Sequence, residues 1–517
     1  MNLKFLYCGF SFLLAGHLLS AQHTNIMISD SNFPNEPAIV INPKNTNQLM
    51  AGSNIDNYYF STDAGFTWNS GVLTSSYGVW GDPVLACDTS GSFYFFHLSN
   101  PPSGNWIDRI VCQRTPFPGA VWNNGSYTGL NGTKAQDKQW VAIDRSNNTI
   151  YMTWTEFDEY GSSDPADSSR ILFSKSADQG QSWSSPIKIN QVSGDCIDED
   201  NTTEGAVPAI GPNGEVYVSW AGPAGLVFDK STDGGLTWLS QDIFVSSIPG
   251  GWDFSVPGIY RANGLPVTTC DTSGGPNHGT IYINWSDQRN GISNTDVWLV
   301  KSTDGGNTWT LPAKINDDLS NRHQFFTWMT LDQATGDLWF VFYDRRNYPD
   351  SRTDVYMAHS SDGGNTFQNF KISDSPFTPD PGVFFGDYTN VTAHNDIVRP
   401  MWTRLENTQL SVWTALINTT WLGINNADSS PVPMLEQNFP NPFTDQTSFS
   451  FKLHREEKVS LKIFDFTGRS VTTLIDNQIY GFGKHVLTYP LGLASGTYFY
   501  ELTAGERLLR RKMMVIE

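Results

Sequence analysis

Ser61-Thr-Asp63-Ala-Gly65-Phe-Thr-Trp68 is the stretch whose reading decides the fold, because the chain writes it again four times. It returns as Ser176-Ala-Asp178-Gln-Gly180-Gln-Ser-Trp183, Ser231-Thr-Asp233-Gly-Gly235-Leu-Thr-Trp238, Ser302-Thr-Asp304-Gly-Gly306-Asn-Thr-Trp309 and Ser360-Ser-Asp362-Gly-Gly364-Asn-Thr-Phe367. An Asp in a tight turn accepts hydrogen bonds from backbone N–H groups further along, and the Gly two places on tolerates positive φ. The closing aromatic then returns to a core. Each octet follows a strand-like run, such as Asp296-Val-Trp-Leu-Val-Lys301, so it joins two strands of one sheet. Repetition at this period marks a solenoid, propeller or array.

Between octets a second pattern recurs: strand, polar turn, strand. Examples are Pro37-Ala-Ile-Val-Ile41 with Gln48-Leu-Met-Ala-Gly52, and Trp140-Val-Ala-Ile-Asp144 with Ile150-Tyr-Met-Thr-Trp154. Seven such units are readable, one of them in the first gap between octet aspartates, which is about twice the others. Last strands of units end alike, in Ile187-Lys-Ile-Asn190, Ala313-Lys-Ile-Asn-Asp317 and Phe370-Lys-Ile-Ser-Asp374. Ile26-Met-Ile-Ser-Asp30 repeats that phrase at the start of the chain. The seventh unit runs out after its third strand, so the N-terminal strand is expected to complete it and leave no free sheet edge.

On these octets the chain resembles the Asp-box (bacterial neuraminidase repeat) proteins, of which sialidases are the best known, over residues 23–420. The resemblance implies an all-β, sialidase-like propeller. Seven blades are counted here; six, as in the well-known sialidases, is the alternative. It implies little about activity, because functions are grafted on folds. Residues 1–21 read as a secretory signal, with Lys4, an apolar run and Ala21 at the cut. The propeller takes 22–422, a Pro/Ser/Asn-rich linker 423–433, and a small C-terminal β-sandwich 434–517. That last segment resembles the C-terminal sorting domain of type IX secretion cargo, on Asn438-Phe-Pro-Asn-Pro-Phe443, Asp465-Phe-Thr-Gly468-Arg469, Ser495-Gly-Thr-Tyr498 and a basic end. It implies export through the periplasm to the cell surface or the medium, and a secretion machinery as partner.

The chain has 45 Gly, 13% aromatic and 16% charged residues, with a formal charge of −20. Such a field excludes nucleic acid and anionic membranes as partners. No stretch beyond the N-terminal one is apolar enough to span a bilayer. Cys87, Cys112, Cys196 and Cys270 fit no zinc spacing; they read as small buried residues, with a disulfide as the alternative. A monomer is expected.

Propeller topology gathers first-strand starts and second-strand ends on the face opposite the octets, where ligands usually bind. There the sequence offers Glu36, Asp82, Asp137, Lys138, Glu204, Arg261, Asp387 and Tyr388, then Asp287 with Arg289, Asp344 with Arg345 and Arg346, and Arg404. Carboxylic acids protonate glycosidic oxygens, and guanidinium groups grip carboxylates. The sialidase resemblance implies an arginine cluster drawn from Arg261, Arg289, Arg345 or Arg346, and Arg404. It implies Tyr388 with Glu204 as nucleophile pair, and Asp82 or Asp137 as acid. One departure stands out: Asn35-Glu36-Pro37-Ala38-Ile39 occupies the place of the family's Arg-Ile-Pro phrase and has no Arg. Trp140, with Trp80, Trp252 and Trp402, is a candidate for stacking on a sugar. Asp195, Asp198 and Asp200 alternate in an acidic loop that suits Ca²⁺, though it lacks the Gly and distal Glu of an EF-hand; a solvated loop is the alternative. The readings are a glycan-acting propeller on acidic sugars, sharpest as a sialidase-like exo-glycosidase, a non-catalytic glycan- or protein-binding propeller, or a structural surface protein.

Overall fold

The computed structural model describes residues 23–417, 419, 434–435, 437–453, 457–481, 483–505 and 507–516. The expected signal segment and the expected linker lie outside the described residues. The chain divides into two compact units, the first ending at Asn418.

Among the described residues the first unit holds seven four-stranded antiparallel sheets and no helix. They begin with the strands Ala38–Ile41, Val84–Cys87, Ala135–Ile143, Glu204–Ile210, Val267–Cys270, Gln324–Leu331 and Asn390–His394. Each of these first strands touches the next, and the seventh touches the first, so the sheets form a closed cycle. The fourth strand of the seventh sheet is Thr24–Ser29, which pairs with Gln409–Leu416 from Thr24 opposite Leu416 to Ser29 opposite Val412. The N-terminal strand thus closes the ring, as the shared Ile-Ser-Asp phrase predicts.

Sheets packed on both faces explain the second strands. Ile150–Phe157, Ile281–Asp287 and Leu338–Asp344 are buried at every residue. Trp154, Trp220 and Trp285 sit at the same place in three of these strands at 0–2% exposure. Each contributes on the order of 2–3 kcal/mol through burial.

The octets do more than turn the chain. Asp233 accepts from the N–H of Leu236 (3.0 Å) and of Thr237 (2.8 Å), and from the Thr237 hydroxyl (2.6 Å). The acceptance reaches three and four residues on, beyond the two expected of a simple turn. The Ser231 hydroxyl donates to Asp233 and receives the Gly235 N–H. A Cβ at Gly235, where φ is 83°, would lie 2.3 Å from the Phe173 ring of the preceding sheet. Trp238 packs edge-on against that same ring. Lys175, also of the preceding sheet, donates to the Gly234 carbonyl at 2.6 Å. Lys230 to Gly305 and Lys301 to Gly363 repeat the bond. Each octet therefore staples its sheet to the one before. Asp362 makes the same bonds to Asn365 and Thr366. Asp362→Ala should cost about 1–2 kcal/mol through those lost bonds. Chemical denaturation checks it; an unchanged midpoint would show that the Gly and Lys contacts hold the turn alone.

The second unit is a sandwich of a three-stranded and a four-stranded antiparallel sheet. Its core includes Phe449, Phe451, Leu461, Ile463, Tyr500 and Leu502, all fully buried. The four cysteines among the described residues are free; Cys112, Cys196 and Cys270 are buried and Cys87 is half-buried.

Candidate active site

The face opposite the octets carries a buried charge cluster built from first-strand starts. Glu36, Asp82, Lys138 and Phe326 have φ between 49° and 50°, and Gly205 has 75°. All five stand two residues before the point where the first-strand ladder begins or resumes after a bulge. Left-handed backbone at a non-Gly residue costs about 1–3 kcal/mol and collects at functional sites.

Lys138 is the hub. Its ammonium lies 2.8 Å from Asp387 and 3.4 Å from Asp82. Arg261 grips both oxygens of Asp387 and reaches Asp198 at 2.9 Å. Tyr160 donates to the same Asp198 oxygen at 2.7 Å. Asn54 donates to Glu36. Six carboxyl groups, Glu36, Asp82, Asp137, Asp198, Glu204 and Asp387, thus share two cations.

The imbalance separates their protonation. Against the pull of burial, Lys138 and then Arg261 hold the Asp387 carboxyl below the usual range. Burial, and then the Asp82 charge, push Asp137 up to about 8. Burial and Asp82 raise Glu36; burial, Asp198 and Asp137 raise Glu204. Neither Glu204 oxygen has a hydrogen-bond partner among the described residues. Burial would lower the Lys138 ammonium, but Asp387 and Asp82 raise it well above its usual value.

An aromatic plug floors the cluster. Trp140 and Trp328 lie 4.3 Å apart, with Tyr388 5.3 Å from Trp140. Together with Lys138 and Asp387 they line a cavity of about 30 Å³, room for a water or two. Exposed rings arc around the rim: Trp80, Trp106 and Tyr260, at 38–63% exposure, with Phe33. Trp80 meets Trp106, Trp106 meets Tyr160, and Phe384 lies against Tyr260 and over Arg261. Beside them runs a groove of about 470 Å³ lined by Phe33, Ile55, Trp80 and Phe384.

The comparisons with known proteins separate the two units. Residues 437–517 match the family described as the secretion system C-terminal sorting domain. The second unit is a secretion sorting domain. Its signature residues are turn pins. Asn438 donates to Thr447 at 2.9 Å and accepts from the Gln437 amide at 2.7 Å, and its own N–H donates to the Tyr500 hydroxyl. Asp465 accepts from the N–H groups of Thr467 and Arg469 around Gly468. The sorting domain addresses the chain, through type IX secretion, to the cell surface or the medium. Among the described residues no helix is long and apolar enough to cross a membrane.

The chain is also similar in fold to solved structures of a Hadza microbial sialidase (14% identity, 73% of this chain and 75% of that one, TM-score 0.41) and of the polysaccharide lyase PL25 ulvan lyase (13%, 76% and 96%, 0.45). A Trypanosoma rangeli sialidase aligns at 11% identity over 86% of this chain and 85% of its own, with a TM-score of 0.39. No curated protein matches the chain.

Of the residues expected at the site, the structure brings together Asp82, Asp137, Glu204, Arg261, Trp140 and Tyr388. It does not pair Tyr388 with Glu204. The Tyr388 hydroxyl is buried without a hydrogen-bond partner, and the carboxylates that raise its pKa, after burial itself, are Glu36, Asp82 and Asp387. The tyrosine beside Glu204 is Tyr160, which stands in a loop after a second strand and carried no periodic signal. Trp140 is 7% exposed and packs into the plug, so its ring is covered by neighbours. Trp252 and Trp402 are buried as well.

Nor do the other arginines converge. Arg289 is held by Asp287 at 2.6 Å and lies over Trp298. Arg345 donates to Thr353 and the Pro257 carbonyl; Arg346 pairs with Asp344 and Asp317; Arg404 donates to Ser375 and lies over Trp413. Each braces its own surroundings. Arg289→Ala should therefore cost about 3–5 kcal/mol, because Asp287, at 0% exposure, is left buried and unpaired. Thermal unfolding with activity per folded molecule checks this; a stable variant that has lost its ligand would restore Arg289 to the site.

The acidic loop does not form a metal cluster. Asp195 accepts from Thr202, Asp198 from Tyr160 and Arg261, and Asp200 from the Asp253 N–H. Among the described residues no group of three or more His, Cys, Asp or Glu is placed to hold an ion.

Proposed function

We propose that the first unit is an exported glycan-acting propeller whose site is the plugged mouth around Lys138 and Asp387. The observation that carries this reading is the contrast within one cluster: Asp387 is held ionised by Lys138 and Arg261, while Asp137 stays protonated to about pH 8. Two carboxyl groups driven apart in pKa are the means by which one site supplies both an acid and a stabilising anion. Asp137 is the candidate general acid for a glycosidic oxygen, and Asp387 with its cations a fixed field for the developing positive charge of the sugar. The exposed rings supply the faces on which a saccharide stacks. In its sharpest form the activity is exo-glycosidic, sialidase-like, on acidic sugars.

A specific observation favours a second reading, binding without turnover. The Arg261 guanidinium is taken up by Asp387 and Asp198, and Asp137 is only 8% exposed, so the cluster is satisfied internally. A glycan array, together with a fluorogenic sialoside and a panel of other glycosides, decides between them. Turnover that Asp137→Asn removes supports the first reading; array binding with no turnover of any glycoside supports the second.

A further inference from the structure

Below the plug the axis opens again, and Arg145 stands in the opening. Trp140 and Trp328, the floor of the mouth, are also walls of a lower cavity of about 230 Å³; a second, of about 550 Å³, adjoins it. Both are lined by Arg145, and between them they take in residues of all seven sheets. Arg145 follows the first strand of the third sheet. Its side chain is exposed, yet crowding by the channel walls lowers its pKa, against the opposing pull of the Asp332 charge. It makes no hydrogen bond and no ion pair among the described residues. Asp144, its neighbour, is spent on the N–H of Ser146 and the amide of Asn147. Asp332 accepts from the N–H groups of Ala334 and Asp396.

The unpaired Arg145 guanidinium lines both cavities in a chain of formal charge −20, and so stands available to an anion. We propose that this axial cavity, on the octet face, binds a small carboxylate of monosaccharide size through Arg145. The volume of about 550 Å³ falls in the usual range for small-molecule sites. Thr268, Thr269 and Thr330 line it alongside main chain, which suits a hydroxylated ligand. One guanidinium with two carboxylates nearby matches a single negative charge in a bidentate fork, and leaves the second charge of a phosphate unmatched. The plug separates this site from the mouth, so the inference stands whether or not the mouth is catalytic.

Titration calorimetry of the full chain at constant ionic strength tests it, with D-glucuronate, glucose and inorganic phosphate as probes. Saturable binding of glucuronate is expected, with none of glucose. Arg145→Met should weaken glucuronate at least tenfold, with Arg145→Lys in between. Because the side chain is exposed, circular dichroism of Arg145→Met should match the parent; were it not to fold, Arg145→Lys gives the same ranking. Asp137→Asn should bind glucuronate as the parent does. The inference is overturned by absence of saturation, by an affinity indifferent to Arg145, by phosphate binding more tightly than glucuronate, or by loss of binding in Asp137→Asn, which would place the ligand at the mouth.

Discussion

A chain lacking residues 23–31 is expected to unfold at a temperature about 10 °C lower and to self-associate. The deleted strand is paired at five positions with Gln409–Leu416. At roughly 1 kcal/mol per ladder position, plus the apolar contact of Ile28 with the core of the first sheet, the loss approaches 10 kcal/mol. Unfolding entropy of about 2 cal/mol/K per residue converts that into the stated shift for a unit of this size. The strand also ties two seams. Asn25 donates to the Ile372 carbonyl at 2.7 Å and receives the Asp374 N–H, both from the end of the sixth sheet. Its removal bares the edge of Gln409–Leu416, a template for pairing with a second chain. Calorimetry and gel filtration read the two effects. A midpoint within a degree of the parent would mean that the ring is held shut without this strand.

That strand was legible because the chain spells the last strand of a sheet in nearly one way, and the spelling occurs once at the wrong end. The mouth cluster was legible for a related reason. In a closed ring, equivalent positions of successive sheets face one axis, so Glu36, Asp82, Lys138 and Asp387 could be collected by register alone. The arginines were misread because Asp287-Gln-Arg289 and Asp344-Arg-Arg346 allow two outcomes that sequence does not separate. The guanidinium turns either to the axis or back upon its own Asp. An Asp at zero exposure with no other cation settles it locally, since leaving that carboxylate unpaired costs more than the rim gains. Tyr160 escaped notice, and Asp198 read as a metal ligand and not as a member of the mouth, because both stand in irregular loops, whose meeting point no period encodes. One signal was present and unread. Lys175, Lys230 and Lys301 each directly precede the Ser of an octet, and all three reach the following octet's glycine carbonyl. A lysine fixed in that place has a partner one repeat ahead.

On the catalytic reading proposed above, Asp137→Asn is expected to lower glycoside turnover by about 10²–10⁴-fold, the usual worth of a positioned acid. It should also make the protein more stable at alkaline pH. The unfolded side chain releases its proton near pH 3.9. In the folded chain, burial and the Asp82 charge keep it on until about pH 8. Below the first value both states are protonated and the contribution to stability is full. Between the two, folding takes up a proton from solution, so stability falls as pH rises, by up to about 1.4 kcal/mol per pH unit for one proton. An asparagine carries no proton to release and still accepts the Lys138 N–H that Asp137 accepts at 2.8 Å. The parent and the variant should therefore unfold alike at pH 4 and draw apart towards pH 8, and parent activity should decline above that value as the acid ionises. The two readouts fail independently. Equal pH slopes would mean that Asp137 is not held protonated, whatever the activity. A variant that gains alkaline stability and keeps full turnover would leave Asp137 as a buried neutral group and move the acid elsewhere in the cluster, with Glu204, buried deeper and raised by burial and then Asp198, next to be tested.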